Sequence, residues 1–339
     1  MIDVLKELCL LNGISGREDA VREYIISKIK SFDDCKYYVD NLGNLIVEKK
    51  GKKRAKNKVM LDAHMDEVGF MITDIDPDGF LKFSCVGGID PSVLPAQRVN
   101  VNGKVGAIGV KPVHLLEKSE KNKYDEIEKM YIDIGASSKE EAAKYVSPGD
   151  GCFFESDFVE FGDALVKSKA LDDRLGCAIL LDLLGTESEY DFVCTFSVQE
   201  EVGARGASVL CAQVEPDYAI VVETTTACDI DGVSHDKQVC RLSDGPVVSF
   251  MDRGAIYDRE IYKTAFSIAK ENGIPVQTKT LVAGGNNSSS ILTSHKGVRT
   301  CAVSVPCRYL HSPACVINKN DIKPTVELIK LLVKKLCDD

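Results

Sequence analysis

The spacing of apolar residues changes along the chain, and each change predicts a different kind of element. Near the start, Leu5, Leu8 and Leu11 fall on one helical face, and Val21, Ile25, Ile29 and Phe32 recur at helical spacing in a second segment. Ser15 and Glu18 stand three apart just before that second run and predict a capping box at its start. Two strand-like runs follow, Tyr37 to Val39 and Leu45 to Val47, joined by the turn sequence Asn41-Leu42-Gly43-Asn44. The short apolar strand Val59-Met60-Leu61 then delivers Asp62-Ala63-His64-Met65-Asp66. From Val68 the character changes again. Val68 to Ile75 and Phe80 to Phe83 flank Asp76-Pro77-Asp78-Gly79, a strong turn sequence, and glycine-punctuated β segments continue through Val99 to Val110. The charged stretch Glu117 to Lys129 predicts a surface loop. Ser138 with Glu141 predicts the cap of a short helix.

From Lys169 helices and strands alternate. Helix 173–186 leads to strand 191–198, and a helix from Ala204 to Ala212 leads to strand 218–222. Helix 258–272 precedes a strand near 276–281, then a short helix and strand 300–305. A long last helix is striped by Ile322, Val326, Ile329, Val333 and Leu336. Alternation of this kind implies a mainly parallel sheet covered on both faces. The expected fold is therefore α/β. Residues 1–68 and 166–339 form one domain with a mixed, mainly parallel sheet flanked by helices, and residues 69–165 form a β-rich insertion.

Composition adds limits. The chain has 339 residues, 44% hydrophobic and 28% charged, enough for two globular domains. A net charge of −10 argues against nucleic acid as the main partner, and the one basic run, Lys49 to Lys58, reads as a solvated turn. No run approaches the ~18 apolar residues of a membrane span. Met1-Ile2-Asp3-Val4 does not open a secretory signal. The thirteen cysteines are scattered, odd in number and without a CxxC, which fits free thiols in a reducing cytoplasm.

In such sheets ligands bind beyond the carboxyl ends of the strands. His64 follows strand 59–61, Glu200 and Glu201 follow strand 191–198, Glu223 follows strand 218–222, and His311 comes shortly after strand 300–305. Asp172 sits where an extended run gives way to a helix, and its two oxygens can serve two cations at once. Two divalent cations carry a charge of about +4; Asp172, Glu201, Glu223 and a bridging hydroxide balance it, and two neutral imidazoles complete the shells. Zinc and cobalt suit that N/O set. Glu200 is then placed to handle the proton of an activated water, and Asp66 to accept the far ring N–H of His64. Plainer readings exist for each. Asp172 taken alone is better read as a helix N-cap, and Glu200-Glu201 as a solvated acid pair. Asp66 reads as a turn acid, Glu223 as a helix-start acid, His64 as an ordinary strand-end residue and His311 as part of the turn before Pro313. These readings are independent, so all must hold together to displace the metal reading. His114, His235 and His295 are expected to be non-ligands.

The motifs also carry a resemblance. Ala63-His64-Met65-Asp66-Glu67-Val68-Gly69, Val86-Gly87-Gly88-Ile89-Asp90, Leu171-Asp172-Asp173-Arg174, Gln199-Glu200-Glu201-Val202-Gly203 and Val305-Pro306-Cys307-Arg308-Tyr309-Leu310-His311-Ser312-Pro313, among others, resemble the M42 family of metallo-aminopeptidases nearly end to end. The resemblance implies that Asp172 bridges two divalent ions, zinc or cobalt. His64 and Glu223 complete one site, Glu201 and His311 the other. It also implies that Glu200 and Asp66 are the catalytic pair, with Glu200 the base, and that 69–165 is a dimerisation domain. Substrates would be short peptides, and subunits would self-associate, up to a hollow dodecamer. Two departures stand out. The position of Glu223 is usually Asp, and the substrate-pocket loop Gly284-Gly285-Asn286-Asn287-Ser288 commonly carries Asp where this chain has Asn287. They motivate an alternative, a catalytically silent peptide-binding or assembly protein. A related two-metal carboxypeptidase or deacylase is a third reading. The cellulase label that some relatives carry finds no support in a glycosidase-like carboxylate pair.

Overall fold

The structure, a computed structural model, describes residues 1–115 and 126–339. Of the charged stretch 117–129, residues 117–125 lie outside the described residues, and Ile127–Lys129 forms a 3-10 turn.

The larger unit is built on an eight-stranded sheet. Its order is Cys35–Val39, Leu45–Lys49, Phe192–Ser197, Val59–His64, Tyr218–Thr226, Arg299–Cys307, Val247–Val248, Gln277–Thr278. The centre is parallel: Val59–His64 pairs with Phe192–Ser197 on one side and Tyr218–Thr226 on the other, and Tyr218–Thr226 pairs with Arg299–Cys307. Antiparallel pairings join the hairpin at one edge and Val247–Val248 near the other. The central strands are buried along almost their whole length, which is why they read as continuous apolar runs rather than alternating ones. Helices Ile2–Leu10, Asp19–Ile29, Leu171–Leu184, Arg259–Asn272 and Ile322–Asp338 pack on one face. Arg205–Val214 and Ser288–Leu292 cover the other.

Strands Gly69–Ile75, Leu81–Val86, Tyr131–Asp133, Lys104–Gly109, Arg98–Val101 and Gly151–Phe154 close into a separate barrel. Closure leaves no free edge. Its interior is apolar, with Phe70 meeting Phe83 and Phe154 edge to face at 5.1 and 5.0 Å. The chain then returns through Val159–Phe161 and Leu165–Ser168. The second of these pairs with Cys315–Asn318 in a three-stranded sheet.

One local expectation is corrected. The second helix begins at Asp19 with no side-chain cap, so Ser15 and Glu18 form no capping box. The Ser15 hydroxyl donates to Asp66 Oδ2 at 2.6 Å, and Glu18 Oε1 accepts from the N–H groups of Gly16 and Gln199 at 2.7 and 3.1 Å. The same two residue types can cap a helix or bind a distant loop, and here the distant partners win. At Ser138 the cap does form, accepting from the Glu141 N–H at 3.3 Å.

The N-terminal segment is stitched to the core by a buried cation. Arg174 is fully buried and donates to the carbonyls of Met65 (2.8 Å), Leu8 (2.6 Å) and Gly13 (3.2 Å). It also lies 3.4 Å from Glu67 Oε1, which Lys169 Nζ meets at 2.8 Å. Removing one member of such a cluster strands the others away from water. Arg174→Met is therefore expected to lower stability by about 3–5 kcal/mol. Urea denaturation of the metal-free protein checks this, and an unchanged midpoint would show the cluster to be dispensable.

Candidate metal centre

Two adjacent acids open the Leu171–Leu184 helix and divide the work. Asp172 and Asp173 both have non-helical backbone angles, so regular helix starts after them. Asp173 Oδ1 accepts the Gly176 N–H at 2.9 Å, which is the capping bond, and its Oδ2 accepts the His64 N–H at 3.3 Å. The cap is thus Asp173, and the side chain of Asp172 is left free. Gly176 allows this close approach: a Cβ there would meet Asp173 Oδ2 at 2.4 Å and the Val222 carbonyl at 2.6 Å.

Around Asp172 the expected residues converge. Its Oδ1 lies 3.5 Å from His64 Nε2 and its Oδ2 3.5 Å from His311 Nε2. Glu223 Oε1 is 3.4 Å from His64 Nε2, and Glu201 Oε2 is 3.4 Å from His311 Nε2. Glu200 Oε2 stands 3.9 Å from His64 Nε2. The donor atoms form three groups at metal-ligand spacing: His64–Asp172–Glu223 and Asp172–Glu201–His311, which share the aspartate, and His64–Glu200–Glu201, which lies across them.

Both imidazoles have their tautomer set from behind. His64 Nδ1 is 3.0 Å from the Asp66 carbonyl, and His311 Nδ1 is 2.6 Å from the Gly88 carbonyl. A carbonyl can only accept, so each Nδ1 carries hydrogen, and it is Nε2 that must lose its proton, and that faces Asp172, when a ring becomes neutral to take a cation. The Asp66 carboxylate is farther from the ring, at 3.5 Å. It accepts the Ser15 hydroxyl at 2.6 Å and the N–H groups of Glu200 and Glu201 at 3.0 and 3.1 Å. Asp66 therefore supports His64 chiefly through its backbone and the Glu200-Glu201 turn through its side chain.

The local backbone is unusual at these points. Ala170, Gln199, Tyr309 and His311 all have left-handed φ. Such non-glycine conformations persist only where surrounding bonds hold them. Glu223 lies inside its strand, opposite Ser304, rather than past its end. Thr224–Thr226 continue the strand because β-branched residues suit it even when polar.

The charges are far from their resting values. Burial tends to raise the Asp172 carboxyl, but pairing with His311 and His64 outweighs it and holds the group well below the usual range. Burial raises Glu201 from 4.5 to about 8 and Glu223 from 4.5 to about 7, against the pull of His311 and His64 respectively. Glu200 is raised well above 4.5, mainly by burial. Burial lowers the tendency of His311 to protonate, yet Asp172 and Glu201 carry it up to about 10.

The M42 glutamyl aminopeptidase profile matches residues 43–328. The chain belongs to the M42 peptidase family. Lysyl aminopeptidase of Pyrococcus furiosus is 32% identical, covering 98% of this chain and 97% of its own length. The structure of Pyrococcus horikoshii TET1 peptidase, described as assembling into a tetrahedron or a large octahedral shell, is 37% identical with a TM-score of 0.85 and 98% coverage of both chains. A Thermotoga maritima structure described as an endoglucanase is 40% identical with a TM-score of 0.82, again covering 98% of both chains. The protein is a hydrolase of peptide bonds with the M42 α/β fold, as the motifs implied. Among the described residues no helix is long and apolar enough to cross a membrane.

The M42 residues present here fit divalent cations. Two donors held about 2.0–2.1 Å from one tetrahedral ion stand about 3.3–3.5 Å apart, and the imidazole–carboxylate separations above are 3.4 and 3.5 Å. Glu223 Oε2 is buried with no hydrogen-bond partner. Imidazole nitrogen with carboxylate oxygen is a donor set suited to zinc or cobalt.

The pocket-loop residues are placed differently from one another. Gly284 has φ +62, which glycine adopts without strain, and its carbonyl accepts the Arg253 N–H at 2.9 Å. Asn287 faces inward. It is 1% exposed, and its amide donates to Asp62 Oδ2 at 2.7 Å and Ser197 Oγ at 2.8 Å. That is a tether to the sheet rather than a pocket wall. Three contributors have no signature in the sequence: Ser15 and Glu18, whose spacing matches a capping box, and the Gly88 carbonyl behind His311. A backbone acceptor has no residue-type signature.

The shifted groups predict opposite pH trends with and without metal. Raised pKa values on Glu201, Glu223 and His311 mean that the metal-free protein gains stability from holding these protons. That stability is lost as pH climbs from about 5 through the folded values of about 7 for Glu223, about 8 for Glu201 and about 10 for His311. Divalent cations compete for the same atoms, so binding releases protons and tightens with rising pH. Thermal melting between pH 6 and 9 should show Tm falling in the metal-free protein and the increment from added zinc growing. A zinc increment that is flat with pH would contradict the assignment.

Proposed function

We propose that the protein is a two-metal aminopeptidase that removes N-terminal residues from short peptides. The observation that carries the reading is the single aspartate facing two imidazole Nε2 atoms on opposite sides, each joined by its own glutamate. His64, Asp172 and Glu223 would hold one ion, and Asp172, Glu201 and His311 the other, zinc or cobalt in each case. When bound, such a pair acidifies a shared water, polarises the scissile carbonyl and offers a ligand position to the free α-amine. Glu200 takes a proton from the attacking water and delivers it to the leaving nitrogen. Its raised pKa suits both halves of that task, because burial keeps the proton affinity of its carboxylate high. Asp66 holds the Glu200 and Glu201 N–H groups and so keeps the base aligned.

The departures at Glu223 and Asn287 do not favour a silent scaffold. Glu223 reaches His64 as closely as Glu201 reaches His311, and Asn287 is engaged inside the sheet. The endoglucanase description of the Thermotoga relative is not carried over. In this cluster Asp172, Glu200, Glu201 and Glu223 all stand within 4 Å of an imidazole, unlike a glycosidase's isolated acid and nucleophile. Gly284 and Gly285 shape a loop that we assign to the substrate-binding rim. Residues 69–165 are assigned to subunit contact, and the assembly of TET1 peptidase supports self-association here. The described cysteines are all free thiols, in keeping with a reducing cytoplasm.

Glu200→Gln is expected to lower turnover of aminoacyl-p-nitroanilides by about 10²–10⁴-fold while two ions per chain remain bound. Metal analysis alongside kinetics on the cobalt-loaded protein checks it. Full activity in that variant would sink the mechanism. Hydrolysis of acetylated peptides in preference to free ones would favour a deacylase or carboxypeptidase instead.

A further inference from the structure

The turn that carries Glu200 and Glu201 is held by residues from the other end of the chain. Gln199 begins the turn with a left-handed φ of 56°. Its N–H is accepted by Glu18 Oε1 at 3.1 Å, and the next two N–H groups are accepted by the two oxygens of Asp66. Asp66 Oδ2 in turn receives the Ser15 hydroxyl at 2.6 Å. Just before the turn, the Val198 N–H is accepted by Asn44 Oδ1 at 3.0 Å. Consecutive N–H groups from 198 to 201 therefore each point at a side-chain oxygen. Ser15 and Glu18 are both buried, at 7% and 4% exposure, so water does not compete for these bonds. Glu18 also accepts the Gly16 N–H at 2.7 Å, which fixes its own carboxylate over the turn.

We propose that Ser15 and Glu18 are positioning residues: the segment before the second helix clamps the Gln199-Glu200-Glu201 backbone and so sets where the proposed base and its neighbouring ligand stand. The inference rests on the reading of Glu200 given above. The physical argument is that a left-handed backbone at a residue other than glycine reverts unless its peptide groups are fixed from outside. A small displacement of a reacting group costs rate steeply, about 10²-fold for 1 Å. Glu18 touches neither the site's donor atoms nor its histidines in any recorded bond, so its effect runs through the backbone it holds.

The chemistry of the clamp separates two variants. Glu18→Ala removes the acceptor. Glu18→Gln keeps an amide oxygen that can accept both N–H groups. The test uses full-length protein loaded with cobalt, assayed on leucyl-, lysyl- and glutamyl-p-nitroanilide, together with amide hydrogen exchange followed by mass spectrometry. Glu18→Ala is expected to speed exchange of the 199–201 amides about tenfold or more. It should lower kcat about 10–100-fold, with KM changed less than about threefold. Glu18→Gln is expected to restore both. Ser15→Ala, which leaves Asp66 lacking one donor, is expected to give a smaller loss in the same direction, and it decides the matter should Glu18→Ala not fold. Exchange in Glu18→Ala or Ser15→Ala indistinguishable from the parent overturns the clamp, as does faster exchange with unchanged kcat. A parent protein that hydrolyses none of the three substrates would remove the aminopeptidase reading. The clamp would then stand or fall on exchange alone.

Discussion

Too much negative charge in too little water is the constraint on which this molecule turns. Asp172, Glu200, Glu201 and Glu223 are brought around two imidazoles, and burial presses on all four carboxyls. Among the described residues, the ion pairs made by these acids are all with His64 and His311. Among the described residues no lysine or arginine makes an ion pair with these four acids: Lys169 and Arg174 are spent on Glu67, and buried Lys279 acts on Glu223 only at longer range. Left metal-free, the cluster must keep protons it would ordinarily release. An arrangement that is unfavourable alone and relieved by cations is what a binding site for them requires.

Holding such a cluster needs rigid support, and the support comes from three separate parts of the chain. The barrel contributes the Gly88 carbonyl that sets His311. The N-terminal segment contributes Ser15 and Glu18, and is itself pinned by Arg174 through the carbonyls of Leu8 and Gly13. The three-stranded sheet ties the segment following His311 to the chain leaving the barrel. The site is thus a junction rather than a feature of the eight-stranded sheet alone, and the barrel takes part in it. Its first loop past the second strand is one of the walls.

What could be read in advance followed from period and polarity. His64, Glu200, Glu201 and His311 were visible because each stands where an apolar run stops, and an apolar run in a parallel sheet ends near the ligand side. Glu223 was found for a partly wrong reason, since its strand continues through Thr224, Thr225 and Thr226. Ser15 and Glu18 were misassigned because a capping box and a tertiary clamp share one local pattern, and only the partner's position separates them. Asp172 and Asp173 are the same residue type side by side. Which one caps and which one is free depends on a backbone path that neither side chain dictates. The closure of the barrel was likewise hidden, because alternation predicts strands but not which of them meet.

On the two-metal reading, the longer side chain at position 223 has a consequence for how the two half-sites compare. With Glu there, each half offers the same donors: one imidazole Nε2, one oxygen of the shared aspartate and one glutamate oxygen, at matching separations of 3.5 and 3.4 Å. Chemistry then gives no reason for the halves to differ. Burial does. The His64 side chain is 2% exposed, whereas that of His311 is 36% exposed. The contrast lies in the imidazoles: the glutamates of the two halves are both buried, Glu223 at 8% and Glu201 at 4% exposure. The exposed imidazole edge therefore belongs to the His311 half, while the His64 ring, backed by the Asp66 carbonyl and ending a central strand, is the fixed end of the pair.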